Sequence, residues 1–180
     1  MAKESRRGLV MVYTGDGKGK TSAALGLLIR AVGYDWRVCF IQFIKGSWHY
    51  GEMDGIQRLA PNVEFIQAGK GFYKIVDDNL PAEAHRAAAQ AGLQLAREKI
   101  ASGDYDLVVL DEINNTLQTE LLSVAEVLAL IDAKPKWLHL LLTGRGAPPA
   151  LIERADLVTE MREVKHPYQQ GWMAQKGIDF

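Results

Sequence analysis

The segment Thr14-Gly15-Asp16-Gly17-Lys18-Gly19-Lys20-Thr21 concentrates the residue types that grip a polyanion. Glycines leave room for backbone N–H groups to converge on phosphate oxygens, and the first turn of a following helix aims its unpaired donors at the same point. In such a loop Lys20 sets a mobile positive charge against the phosphates and the Thr21 hydroxyl ligates Mg²⁺. Gly-Lys-Thr closes the pattern G-x-x-x-x-G-K-[ST], but Thr14 stands where its first glycine belongs, and Gly15 and Gly17 lie inside the loop. A loop of different curvature is the expectation.

Two further groups suit the same chemistry. Leu107-Val108-Val109-Leu110-Asp111-Glu112 is an apolar run ending in two acids, which brings a carboxylate beside the metal of a phosphate loop. Asp111 and Glu112 would divide between them metal coordination, directly or through water, and the orientation of a reacting group. Thr143-Gly144-Arg145-Gly146 supplies Arg145, whose planar fork braces triphosphate oxygens. Together these residues specify a Mg²⁺–nucleoside triphosphate site and leave its reaction open, since kinase, hydrolase and motor chemistry all fit.

The elements that must hold these groups are legible as alternation. Short runs rich in β-branched and aliphatic residues fall at 9–13, 38–43, 63–67, 107–110, 137–142 and 157–161, with helix-compatible stretches at 21–32, 81–101, 124–131 and 148–155. That order predicts a parallel α/β sheet, and the scarcity of polar interruptions predicts central strands covered on both faces. Gly33 is placed to end the first helix, and Gly92 inside the longest one costs about 1 kcal/mol relative to Ala. Residues 45–55 and 69–80 resist assignment. Both follow strands, where loops of such sheets meet ligands. The final segment, 165–180, carries Tyr168, Trp172 and Phe180 and is a third candidate wall.

Composition sets the outer limits. The 180 residues, 48% hydrophobic and 24% charged, suit one domain over 1–180 with a short arm at 1–8. A formal net charge of -1 gives no overall pull toward nucleic acid or an anionic membrane, so neither is an expected partner. The run at 9–13 behind Lys3, Arg6 and Arg7 is too short for a signal peptide, and no apolar stretch nears the roughly 18 residues of a membrane span. Cys39 has no internal disulfide partner, which suits a reducing, cytoplasmic setting. His85 and His139 are expected to be solvated or packed. His49 and His166 lie in site-like segments, but no metal spacing emerges and none is assigned as a ligand.

Beyond the loop, Phe40-Ile41-Gln42-Phe43-Ile44-Lys45-Gly46 with Trp48 and Gly51-Glu52, then Val109-Leu110-Asp111-Glu112, Thr143-Gly144-Arg145-Gly146, Val164-Lys165-His166-Pro167 and Ala174-Gln175-Lys176-Gly177-Ile178-Asp179-Phe180 follow in order. From Gly8 onward this resembles the ATP:corrinoid adenosyltransferase family of cobalamin metabolism. The resemblance implies a P-loop NTPase-like (RecA-like) α/β fold with a mostly parallel sheet flanked by helices on both faces. It also implies an enzyme that transfers the 5′-deoxyadenosyl group of ATP to the cobalt of a Co(I) corrinoid and releases triphosphate, in biosynthesis or salvage. ATP would lie reversed, its γ-phosphate end anchored. The implied catalytic residues are Lys20, Thr21 and Glu112. Those implied to bind ATP or corrinoid are Gly15, Asp16, Gly17, Lys18, Gly19, Lys20, Thr21, Arg145, Phe72 and Trp48, with Thr21, Asp111 and Glu112 implied at Mg²⁺. Gly71-Phe72 matches the family's Gly-Phe-x-Trp, so Phe72 would face the corrin where the lower ligand of Co(II) is removed. Lys74 replaces the tryptophan, leaving Tyr73, Trp48 or Tyr50 to substitute. The short arm leaves a wall for a second chain, so a homodimer is expected, with an electron donor such as a flavoprotein. The competing readings are a small-molecule kinase or ATPase on the same loop and a non-catalytic, nucleotide-dependent corrinoid-binding module.

Overall fold

The computed structural model describes residues 5–45, 49–71 and 80–179. Its strands are β1 (Val10–Thr14), β2 (Val38–Gln42), β3 (Val63–Gln67), β4 (Leu107–Asp111), β5 (His139–Thr143) and β6 (Leu157–Glu160). They form a six-stranded sheet in the order β3-β2-β4-β5-β1-β6, and every adjacent pair is parallel. The helices are α1 (Lys20–Val32), α2 (Gly51–Gln57), α3 (Ala82–Ala101), α4 (Ile113–Gln118), α5 (Val124–Ala133) and α6 (Pro149–Arg154), followed by a 3-10 turn at Pro167–Gln170.

Two apolar layers explain the sheet's sequence. Successive strand side chains point to opposite faces. Val10, Val12, Cys39, Ile41, Val108, Leu110, Leu140 and Leu142 therefore enter one core with Ala89, Leu93 and Ala96 of α3 and Val127 and Leu130 of α5. Met11, Val38, Phe40, Leu107, Val109 and Leu141 enter the other with Ala24 and Leu28 of α1. The absence of alternation in β1, β2, β4 and β5 thus reflects burial on both sides, as expected. The expectation of central strands fails at the margins. All four residues of β6 are exposed, and β3 is an edge strand with a half-buried middle. Short apolar composition does not distinguish an edge from a centre.

Further departures are local. The strand expected at 137–142 is displaced to His139–Thr143, because Trp137 belongs to the turn that enters it. Helices α2 and α4 were not expected. The first contains Gly51 and Gly55, poor helix formers, and the second is only six residues long and buries the polar Asn114 and Thr116. Gly92 has a packing reason. A Cβ there would stand 2.9 Å from the Ala68 Cβ and 3.1 Å from Phe43 Cε1, so the glycine lets α3 lie close against the ends of β2 and β3.

For the site, the decisive feature is order. The strands that end in the glycine loop (β1), in Thr143 (β5) and in the two acids (β4) lie side by side. All three deliver their carboxyl ends to one edge.

Candidate active site

Immediately after β1 the chain turns through Gly15 and Gly19, whose φ values of 94° and 107° lie in the left-handed region that glycine alone enters freely. Helix α1 starts without a side-chain cap. Its first internal bond runs from the Ala23 N–H to the Gly19 carbonyl at 2.7 Å, so the N–H groups of Lys20, Thr21 and Ser22 have no partner within α1 and remain for an anion. Lys20 is buried, and its ammonium donates to the carbonyls of Gly15 and Gly17, both at 2.7 Å. Burial lowers its pKa, while the charges of Glu112, Asp16 and Asp111 oppose that fall. The cation is held at the loop by neutral acceptors, from which an anion can take it.

The departure at Thr14 has a structural purpose. Thr14 ends β1, and its hydroxyl accepts from the Ala147 N–H at 3.1 Å, tying the glycine loop to the turn that carries Arg145. The loop is also braced from the far side. The Gly17 N–H donates to the Met161 carbonyl at 2.7 Å, and the Met161 N–H donates to the Thr14 carbonyl at 2.8 Å. A Cβ at Gly15 or Gly17 would lie 2.4 or 2.7 Å from the Met161 carbonyl oxygen, so both glycines are set by close approach of backbone.

The acids divide sharply. Asp111 is fully buried. Its Oδ1 accepts from the hydroxyls of Thr21 at 3.0 Å and Thr143 at 2.7 Å, and its Oδ2 accepts from Gln42 Nε2 at 3.1 Å. Glu112 is half-buried in the left-handed region, φ 63°, a costly conformation for a residue with a Cβ. Its N–H donates to Thr143 Oγ1 at 3.0 Å. Its carboxylate has no hydrogen bond among the described residues. Burial first, and the neighbouring Asp111 second, push Glu112 up to about 7, against the pull of Lys45, Lys20 and Arg145. A carboxylic acid near neutrality facing three cations is poised to ionise when positive charge arrives.

A cavity of about 380 Å³ opens between these groups, lined by Gly17 to Ser22, Lys45, Glu112, Asn115, Arg145, Ile178 and Asp179. A second, of about 450 Å³, shares Thr21, Ser22, Lys45, Ile178 and Asp179 and continues past Leu25, Gly51 and Glu52. Gly17, Lys18, Gly19, Lys20, Thr21, Glu112 and Arg145 therefore meet in one cavity. Gly15 and Asp16 do not line it. Gly15 acts through its carbonyl on Lys20, and Asp16 is exposed. Asp111 lies behind Thr21. Trp48, Phe72, Tyr73 and Lys74 fall outside the described residues. Tyr50 is buried, with Lys45 Nζ 4.4 Å from its ring centre, and is closed to a corrin face.

Four site residues carry no role in the sequence reading. Lys45 pairs with Glu52 at 2.7 Å. Asn115 accepts the Arg145 N–H at 2.7 Å. Gln42 and Thr143 hold Asp111, and both end strands, which is the signal that marks them. The histidines serve local structure. His139 stacks on Trp36 and accepts from the Leu9 N–H, and His166 accepts from the Tyr168 N–H. His85 is buried on α3, and His49 faces Asp54. Among the described residues no cluster of three or more His, Cys, Asp or Glu forms a metal cage, and no helix is long and apolar enough to cross a membrane.

Comparison with known proteins agrees with this geometry. The profile described as "ATP:corrinoid adenosyltransferase BtuR/CobO/CobP" matches residues 6–180. A corrinoid adenosyltransferase of Pseudomonas aeruginosa is 42% identical over 174 residues, covering 97% of this chain and 84% of the relative. The corrinoid adenosyltransferase CobA of Salmonella typhimurium is 39% identical over 178 residues, covering 98% and 88%. The corrinoid adenosyltransferase of Escherichia coli K12 is 38% identical over 178 residues, with the same coverage of 98% and 88%. Among solved structures, the flagellar accessory protein FlaH of Methanocaldococcus jannaschii superposes with a TM-score of 0.54 at 11% identity, covering 86% of this chain and 71% of that one, a likeness of fold.

Proposed function

This chain belongs to the ATP:corrinoid adenosyltransferase family, and from that premise we propose how its cavity performs the reaction. The enzyme transfers the 5′-deoxyadenosyl group of ATP to the cobalt of a Co(I) corrinoid and releases triphosphate. The cobalt supplies the electron pair, the bond to C5′ forms, and the C5′–O5′ bond breaks with its pair leaving on the triphosphate. No side-chain nucleophile or general base is needed. What the protein must supply is stabilisation of charge growing on a polyphosphate leaving group.

The observation that carries this reading is the convergence on one cavity of Lys20, the first N–H groups of α1, Arg145 and a Glu112 carboxyl without a hydrogen bond among the described residues. Lys20 exchanges the Gly15 and Gly17 carbonyls for phosphate oxygens, the α1 donors close on the γ-phosphate end, and Arg145 braces the chain from the opposite wall. That leaves C5′ to point outward, along the second cavity. The donor set suits Mg²⁺, which takes one or two carboxylates with phosphates and water rather than a closed protein cage. Thr21 and Glu112 would hold it, and Asp111 would orient Thr21 by accepting the hydrogen bond its hydroxyl donates, leaving the hydroxyl's lone pairs free. When bound, the ion would add positive charge beside the leaving group. Glu112 would hold the ion as a carboxylate, its proton released to solvent. Mg²⁺ is thus the cofactor we assign.

The remaining parts of the reading concern setting. The buried, unpaired Cys39 supports a reducing, cytoplasmic location. The exposed β6 with Val164, Tyr168, Trp172 and Met173 supports a second copy of the chain as partner. Reduction to Co(I) calls for an electron donor, for which a flavoprotein is suited, and Phe72 and Trp48 are assigned to the corrin. One product analysis tests the whole. With Co(I) corrinoid and MgATP, light-sensitive adenosylcorrinoid and intact triphosphate should form in equal amounts. ADP and phosphate appearing in step with turnover would overturn the reading in favour of a kinase or ATPase.

A further inference from the structure

We propose that Asp179 is a specificity-determining residue for the phosphate end of this site: its carboxylate is the built-in counter-ion that an incoming triphosphate must displace from Lys18, and that recaptures Lys18 when triphosphate leaves. The inference rests on the reading that the first cavity takes the triphosphate of ATP.

The two lysines of the loop are held in different ways. Lys20 is kept by two neutral carbonyls. Lys18 forms an ion pair with Asp179, a residue 161 positions away, whose other oxygen, Oδ2, accepts the Gln175 N–H at 2.8 Å. The Asp179 N–H donates to the Gln175 carbonyl at 2.8 Å, and the Ile178 N–H to the same carbonyl at 3.2 Å. The carboxylate is therefore anchored in a closed turn, and both Ile178 and Asp179 stand in the walls of the two cavities. Lys18 is 47% exposed and Asp179 20% exposed in their side chains, so the pair sits at the mouth of the site, where a ligand can reach it.

The consequence follows from charge. A neutral acceptor yields a lysine to any phosphate, but a carboxylate yields it only to a ligand that brings more negative charge to the same spot. Triphosphate does so, and inorganic phosphate gains far less. The same pair works in the reverse direction after transfer. Free triphosphate carries more charge than it did as an ester, and without a competitor for Lys18 it would be the ligand held longest. Asp179 thus widens the gap between triphosphate and lesser anions and speeds departure of the product.

The test is titration calorimetry of inorganic triphosphate with Mg²⁺ against the wild-type chain, Asp179→Asn, Lys18→Gln and the double variant, with inorganic phosphate as the second probe. Asn keeps an oxygen for the Gln175 N–H, so the turn is preserved. Asp179→Asn should bind triphosphate about two- to fivefold more tightly, the size of a partly exposed ion pair. Its preference for triphosphate over phosphate should narrow, and inhibition of turnover by triphosphate should strengthen by the same factor. In the Lys18→Gln background the gain should vanish. An equal gain in both backgrounds would mean simple repulsion by Asp179 and would overturn the counter-ion. So would an unchanged affinity in Asp179→Asn when the wild type binds triphosphate. If the wild type binds neither ATP nor triphosphate, the reading of the cavity falls and the counter-ion with it.

Discussion

Replacing Glu112 by Gln keeps the side chain's size and the same left-handed backbone while removing its charge, and the structure fixes both the sign and the scale of the effect. Burial beside Asp111 moves Glu112 from an ordinary 4.5 to about 7. The folded chain therefore holds this proton more tightly than the unfolded chain does, and stability is lost as pH rises from 4.5 through 7. At about 1.4 kcal/mol per tenfold change in acidity, the full penalty above that window is on the order of 3 kcal/mol. Partial exposure to solvent in an open cavity reduces it to about 1–2 kcal/mol. Glu112→Gln carries no such penalty. In thermal unfolding without Mg²⁺ or nucleotide, the variant should melt about 2–8 °C above wild type at pH 8, with the difference nearly closing by pH 5. The same variant should lose most of its Mg²⁺-dependent turnover, because the group that accepts the cation is gone. A melting difference that is flat with pH, or a variant less stable than wild type at pH 8, would refute the assignment of Glu112 as a buried acid held for an incoming cation.

Lys20→Ala should lower kcat by roughly 10²–10³, the usual scale for removing one group that stabilises developing charge, and weaken corrinoid binding far less; single-turnover kinetics separates the two, and equal losses would remove Lys20 from the leaving group. Gly17→Ala places a Cβ 2.7 Å from the Met161 carbonyl oxygen and 2.8 Å from the Arg162 carbonyl carbon. Nucleotide affinity should fall at least tenfold by calorimetry, since the loop must shift off its brace, while the circular dichroism of the fold stays unchanged. Thr14→Val deletes the acceptor for the Ala147 N–H and should cost about 1–2 kcal/mol in urea unfolding, with a higher KM for ATP because the Arg145 turn loses its tie to the loop.

Much of the site was legible because its chemistry is local in sequence. Gly15 to Thr21 form one uninterrupted turn, and Asp111 and Glu112 are adjacent, so residue type and order sufficed to place them on one edge. The apolar runs of β1, β2, β4 and β5 read correctly since both faces of each are covered. What escaped depends on distance. The reason for the departure at Thr14 lies with a partner, Ala147, 133 residues on. Two neighbouring acids are equivalent on paper. They separate only when Asp111 is sealed by Thr21, Gln42 and Thr143 and Glu112 turns into the cavity. Edge strand β6 is as apolar at Leu157 and Val158 as a central one, and nothing within its own four residues betrays its exposure. Helix α4 is shorter than two turns, too brief for periodicity to register.

Strand β5 sits between β1 and β4, so the loop that cradles phosphate and the strand that bears the acids are two ladder spacings apart, about 10 Å. Paired backbone, not a tether, is the gauge of that interval. Mutation can reshape the surrounding loops without stretching it, and Thr143 at the tip of β5 fills the middle by bonding to the Asp111 carboxylate and the Glu112 N–H. The reach across which a cation and the tail of a nucleotide are shared is written into the width of a single strand.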